Sequence, residues 1–188
     1  MWRSPAASHC VIPAGTLPTR PGEALLLGGY TAVLDEGELL QYGPTAEVFH
    51  APQSIRVARA FSDPPMNLLA AEAVDGGVQL NGGPRLAVNL PERATRALTV
   101  GVRASALRVH PREGDVTLPG AVELAEISGS DTFVHVHTGV GEVVAQLTGV
   151  HDFELGSPIT LHLNPAQVYV FDQSGDLLVA PERKGAPK

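Results

Sequence analysis

The chain has 188 residues, 13 basic against 20 acidic, for a formal net charge of −7 and a sequence pI near 5.4. That length holds one ordinary domain or two small ones with a real core, and the acidic balance argues against nucleic acid as a partner, because phosphate neutralisation needs clustered Lys and Arg. Both lysines, Lys184 and Lys188, stand in the tail. The single cysteine, Cys10, excludes an internal disulfide and a cysteine-based zinc site and suits a reducing cytosol. No stretch approaches the roughly 18 apolar residues of a membrane span. Pro5, His9, Pro13 and Pro18 interrupt what would be the apolar core of a secretory signal, so the expectation is a soluble, intracellular protein.

In chain order, residues 1–18 lack periodicity and carry three prolines, which predicts a loose leader; the leader or a degenerate segment extends to residue 29. From Tyr30 the texture changes. "YTAVLDEGELLQYG" runs apolar residues into Asp35-Glu36, as the magnesium-holding strand of a nucleotide hydrolase does, but Gly37 turns the chain back at once into a second strand. The magnesium reading also needs a phosphate loop ending in Gly-Lys-Ser/Thr. There is no Gly-Lys pair and no lysine before Lys184. The stretch therefore reads as a hairpin with Asp35 and Glu36 in its turn. Pro44 suits the first turn of a two-turn helix, and Pro52 starts a second helix whose Ile55, Ala58 and Phe61 form one buried stripe with Arg56 and Arg59 outside.

"SDPPMN" is a stiff connector, since its two prolines fix φ and suppress helix before them. The main boundary is placed there, giving segments 1–29, 30–66, 67–180 and a frayed tail 181–188. Beyond Asn67 nearly everything reads as short strands: "NLLAAEAV", "GVQLNG", "LTVGVR", "AVELAEISG", "DTFVHVHTG", "GEVVAQLTG", "SPITLHLN", "QVYVFDQ" and "DLLVAP". Phe133, His135 and His137 share one face of their strand and Val134 and Val136 the other. Glycines at 129, 139, 141, 149, 156 and 175 punctuate at intervals suited to a small barrel.

Few residues here suggest chemistry. "ISGSD", Ile127 to Asp131, can be a turn between strands, the favoured reading, or an anion-binding nest of backbone N–H groups. His135 and His137 have metal-ligand spacing on a strand, but no third ligand is brought near, so ordinary strand histidines are favoured over a metal site. Cys10 sits beside His9 with no triad logic around it. Arg103 closes an apolar strand and reads as a salt-bridge anchor or an exposed end. No catalytic, cofactor-binding or metal residue is assigned; Arg103, Asp131 and Phe171 are the candidate structural or interface residues.

The order of these segments resembles a known family. Residues 31–67, a hairpin followed by "GPTAEVF", a second helix and Pro65-Met66-Asn67, look like the end of the ATPase domain of carbohydrate-importing ABC transporters. Residues 68 to about 180, with "TVGVR", "GAVELAEISGSDTFVHV" and "GSPITLHLNPAQVYVFDQSGDLL", resemble the TOBE regulatory domain that follows it; one run looks most like glycerol or other polyol importers. The resemblance implies a mainly β fold, an OB-like or MOP-like small-barrel TOBE domain preceded by a short α/β remnant. It implies a regulatory and dimerisation role, with partners in a twin or an intact ATPase copy and in membrane-spanning permease subunits. Its location would be cytoplasmic, against the inner face of the plasma membrane. ATP and magnesium, cofactors of full-length relatives, have no site expected here. Thr19 fits the threonine of the family's switch segment, but Arg20 stands at the histidine's place and Pro21 at the aspartate's, and an arginine cannot accept a hydrogen bond as a neutral imidazole does. Gly28-Gly29 weaken the helix expected there. The expectation is therefore a non-hydrolysing C-terminal half, arising from truncation, a split gene or a misassigned start. The alternatives are an oxyanion-binding module of molybdate type, a non-catalytic adaptor, and a decayed gene product.

Overall fold

The computed structural model describes residues 10–13, 25 and 28–182. The chain forms two compact units, Met1–Asp63 and Pro64–Lys188.

The described part of the first unit is a three-stranded antiparallel sheet with two short helices. The strands are β1 (Cys10–Pro13), β2 (Tyr30–Asp35) and β3 (Glu38–Pro44), in that spatial order. The β2–β3 hairpin closes through Glu36 at φ 50° and Gly37 at φ 82°. Two consecutive left-handed residues are what a two-residue turn matched to strand twist requires, so Gly37 sits where the sequence called for it. β1 differs from expectation: Cys10–Pro13, inside the stretch expected to be loose, pairs antiparallel with β2, Cys10 opposite Leu34 and Pro13 opposite Thr31. Three apolar or β-branched residues before a proline are too short a signal to distinguish from a loop by pattern. Thr19, Arg20 and Pro21 lie outside the described residues, as does the tail from residue 183.

Helix α1 (Thr45–His50) begins directly after Pro44, as the fixed proline φ favours. Helix α2 (Ile55–Ala60) begins later than Pro52 suggested, because the Ser54 hydroxyl caps it by accepting from the Val57 N–H. Its buried residues are Val57, Ala58 and Ala60, with Phe61 at its end. Ile55 is only half-buried; Val57 joins the core, packing with Val33 and Val48.

The second unit is almost entirely β. One sheet has six strands in the order β13-β12-β7-β4-β5-β6, the other four in the order β10-β9-β8-β11. The six are β4 (Asn67–Val74), β5 (Gly77–Leu80), β6 (Arg85–Leu86), β7 (Ala97–Val102), β12 (Tyr169–Phe171) and β13 (Leu177–Val179); the four are β8 (Val116–Ser128), β9 (Asp131–Thr138), β10 (Gly141–Thr148) and β11 (Pro158–Leu163). β8 starts earlier than "AVELAEISG" predicts, at Val116, with Pro119 and Gly120 paired to β11. One apolar core lies between the sheets, with Leu69, Val78, Leu80, Val100 and Val102 from the first and Val122, Val134, Val136, Val143 and Leu161 from the second. Val134 and Val136 are fully buried while His135 and Phe133 are half-buried and His137 is exposed, so the predicted alternation of β9 is present.

Gly101 needs to be glycine for a different reason from Gly37. Its φ is unremarkable, but a Cβ there would lie 2.6 Å from Met66 Sδ and 2.9 Å from Phe171 Cε2.

Two side-chain and main-chain contacts finish the four-stranded sheet. Its edge strand β10 would expose the Val144 amide, but the Asn67 side chain lies against it: Nδ2 donates to Val144 O at 2.9 Å and Oδ1 accepts from Val144 N at 2.8 Å. At the opposite edge, Arg108 and His162 of β11 exchange backbone hydrogen bonds at 3.0 and 2.7 Å. The sequence places Asn67 at the end of the connector and the start of a strand, with no role for its side chain. Replacing Asn67 with Ala strips both partners from one backbone unit of β10. An unmade buried hydrogen bond costs about 1–3 kcal/mol, so urea unfolding of Asn67→Ala should show a loss of about 2 kcal/mol with the m-value unchanged.

Candidate functional site

The acidic turn of the first unit is occupied by a local cation. Arg56 Nε on α2 donates to Asp35 Oδ2 at 2.8 Å, and its Nη1 reaches Glu38 Oε2 at 3.4 Å. The hydrogen bond to Asp35 is the main reason the guanidinium is held above its ordinary pKa. Arg56, expected only to point outward, thus ties α2 to the hairpin turn. Asp35 is a structural ion-pair partner in this arrangement.

The three candidate residues are placed as follows. Arg103, at the end of β7, donates from Nε to the Tyr169 hydroxyl at 3.2 Å, and its guanidinium carbon lies 5.3 Å from the centre of that ring, a cation–π contact. Phe171 is fully buried and stacks on Tyr169 with ring centres 6.3 Å apart. Arg103, Tyr169 and Phe171 therefore form one layered cluster on β7 and β12. Asp131 is separate from them: it opens β9, opposite Thr148, and accepts from Gln146 Nε2 at 2.9 Å. "ISGSD" is the turn joining β8 to β9, with Gly129 at φ 64°. The backbone oxygen of Ser130 accepts from Gly149 N at 2.7 Å. His137 Nδ1 lies 3.6 Å from Glu123 Oε1.

The strongest polar constellation was not singled out in the sequence. Arg108 Nη2 makes a two-pronged contact to Asp115, 2.5 Å to Oδ1 and 2.6 Å to Oδ2, and Nη1 donates to Gln167 Oε1 at 3.1 Å. The Asp115 side chain is 2% exposed, and its Oδ2 also accepts from the Arg112 N–H at 2.8 Å. Burial is the largest influence on this carboxyl and acts to raise its pKa, yet the hydrogen bonds from Arg108 and the Arg112 amide prevail, so it sits below the usual carboxylate value. A seven-residue loop bridged by an Arg–Asp pair is a weak sequence signal, and "RVHPREGD" offers three basic residues that could have filled the role.

Beside this pair is an open cleft of about 340 Å³, walled by Ser105, Arg108, His110, Arg112, Thr148 and His151 with Leu107, Val109, Gln146 and Leu147. Among the described residues no carboxylate lines it, although the chain as a whole is acidic. Arg108 Nε is buried without a hydrogen-bond partner. The His151 ring Nε2 lies 2.9 Å from Thr148 O. Hydroxyls, an amide, two guanidinium groups and imidazole rings can hold a small anion; among the described residues nothing in the cleft is arranged as nucleophile and base.

Comparison with known proteins places this architecture. Residues 100–171 match the family model described as a TOBE domain. The chain is 32% identical over 158 residues to the sn-glycerol-3-phosphate import ATP-binding protein UgpC of Pectobacterium atrosepticum, covering 81% of this chain and 44% of that protein. It is 34% identical over 155 residues to UgpC of Escherichia coli, covering 80% and 43%. The chain thus spans less than half the length of these relatives. Among solved structures, the molybdate-binding protein ModG in its molybdate-bound form is similar at 16% identity and a TM-score of 0.45, over 55% of this chain and 94% of that one. The resemblance read from the residues holds: this chain carries a TOBE domain and is related to import ATP-binding proteins of the ABC type.

The Arg108–Asp115 pair yields a signed prediction. Removing one partner of a buried pair costs about 3–5 kcal/mol, so Asp115→Asn should destabilise by a value near the lower end. Because the folded-state pKa is depressed, the contribution is fully present above the unfolded value of about 3.9 and is lost as pH falls through the folded value. The stability gap between wild type and Asp115→Asn, measured by urea unfolding, should be constant from neutral pH down to about 5 and close only in stronger acid.

Proposed function

We propose that this chain is the C-terminal regulatory and dimerisation portion of an ABC transporter ATP-binding subunit for import of glycerol phosphate or a related sugar or polyol, and that it hydrolyses no ATP itself. The observation that carries the reading is the order of its parts: a hairpin-and-helix segment followed by a TOBE domain, in one continuous match to the import ATP-binding proteins. Physical support for the non-catalytic half of the proposal comes from two residues. The sequence has no lysine before Lys184 to reach a β/γ-phosphate, and Asp35, the one carboxylate with a magnesium-strand setting, already takes Arg56.

In this role the β unit braces a two-fold assembly, as a homodimer or with an intact ATPase copy, and the whole docks on membrane-spanning permease subunits from the cytoplasmic side. No helix among the described residues is long and apolar enough to cross a membrane, which suits peripheral attachment. A symmetric patch makes such a contact without new chemistry.

A second reading, an oxyanion-binding module, is favoured by the carboxylate-free cleft with its two arginines and two histidines. Titration calorimetry with molybdate, tungstate and sulfate separates the two: a brace gives no binding heat, whereas saturable heat abolished by Arg112→Ala establishes the cleft as an anion site.

The main proposal is tested by steady-state ATP hydrolysis and sedimentation of the purified full chain. The expected outcome is no turnover above the buffer blank with magnesium present, together with reversible dimerisation. Turnover that persists through repeated purification and is abolished by Asp35→Asn would overturn it.

A further inference from the structure

Among the described residues, the edges of the two sheets in the second unit are blunted by different means, and one stretch carries none of them. Exposed rows of unpaired backbone N–H and C=O recruit other chains, and proteins blunt them with short strands, covering groups or lysines. The six-stranded sheet ends in β6, two residues long, and β13, three residues long. The four-stranded sheet ends in β10, covered at Val144 by the Asn67 amide, and β11, covered at His162 by Arg108. β8 breaks the pattern. It pairs with β9 as far as Ser128, but with β11 only as far as Ala121, and two further bonds join Val122 to Gly156 and Ser157. Residues 123–128 therefore overhang the sheet with one edge open, and among the described residues no backbone partner lies on that side.

The overhang is also apolar where it should be guarded. Leu124 is 42% exposed and Ile127 58%. Beside them the loop 149–157 presents Val150 at 70% and Leu155 at 66% exposure. That loop is fixed next to the overhang by the Gly156–Val122 bond and by the Gly149 N–H to Ser130 O. Glu123, Glu126, Asp152 and Glu154 supply the charge around it, and all four are exposed. His137, 3.6 Å from Glu123, is the one titratable base in contact. From Glu113 to Glu182 the sequence contains neither lysine nor arginine, so the usual cationic guard is missing.

We propose that the open edge of β8, residues 123–128, is a docking site for an extended, basic and apolar segment of a partner protein, added as a further strand. Backbone groups at strand spacing accept only another strand. Leu124 and Ile127 select apolar side chains, and Glu123 and Glu126 select Lys or Arg opposite them, where opposite charges across a pair stabilise and like charges do the reverse. A second copy of this chain is disfavoured as the occupant, because two-fold pairing of this edge sets an acidic strand against an acidic strand. The inference is independent of the transport reading, since it uses only the second unit's edges.

The test uses the full chain, isotope-labelled for NMR, and a blocked peptide of about eight residues built on Val-Arg-Thr-Val-Arg, which in antiparallel register sets valine opposite Ile127 and Leu124 and arginine opposite Glu126 and Glu123. A matched peptide N-methylated at alternate backbone nitrogens keeps charge and side chains but loses the donors along one edge. The expected result is saturable binding with shifts confined to residues 123–128 and 149–157, at least about tenfold weaker for the methylated peptide and for Glu123→Lys/Glu126→Lys. Both glutamates are exposed, so that variant keeps the fold, and an unchanged spectrum elsewhere checks it. Equal affinity of the two peptides, shifts elsewhere, no binding at millimolar peptide, or concentration-dependent self-association shifting the same residues would each overturn the proposal.

Discussion

The second unit depends on how its strand edges are covered, and on β10 the covering contact is the Asn67 side-chain amide against Val144. A carboxamide has the same donor and acceptor as a peptide unit, so one residue of β4 stands in for a missing neighbour of β10 without a strand having to be there. The two sheets share a core through apolar contacts that have no direction. The amide supplies the direction: it accepts only one register of β10. The Arg108–His162 exchange performs the matching task on β11 with backbone alone, and the buried Arg108–Asp115 pair fixes the segment that carries it.

This closure explains how a small β unit can present functional surface without losing its fold. Arg103, Tyr169 and Phe171 build an ordered layer on the six-stranded sheet, while the cleft walled by Arg112 and His151 lies among groups anchored by Asp115. Neither feature belongs to an enzyme's inventory of nucleophile, base and orienting group. In the first unit the acidic turn is tied down by Arg56.

Much of this was legible in the residues. Asp35-Glu36-Gly37 declared a hairpin, because only such a turn needs glycine after two acidic residues between apolar strands, and β9 declared its faces through Val134 and Val136. The segment order carried the family likeness that the relatives bear out. What stayed hidden was set by contacts between residues far apart in sequence. Asn67 and Val144 are 77 positions apart, and nothing local marks that asparagine as buried. β6 is two residues long, and β1 ends at a proline, so neither gives a periodicity to read. The early start of β8 stayed hidden because pairing with β11 carries the strand through Pro119 and Gly120 against local propensity. Ala58 and Phe61 keep their expected places in the buried stripe, while Ile55 is half-buried and Val57 joins them in the core.

The account's central claim is that β10 is covered at Val144 and β11 at His162 while the end of β8 is open, and amide hydrogen exchange of the free chain measures this residue by residue. Val144 and His162 should exchange only through global unfolding, with the protection of the core strands, while outward-facing amides of residues 123–128 exchange orders of magnitude faster. Val144 exchanging as fast as the β8 overhang, or the overhang as slowly as the core, would contradict it.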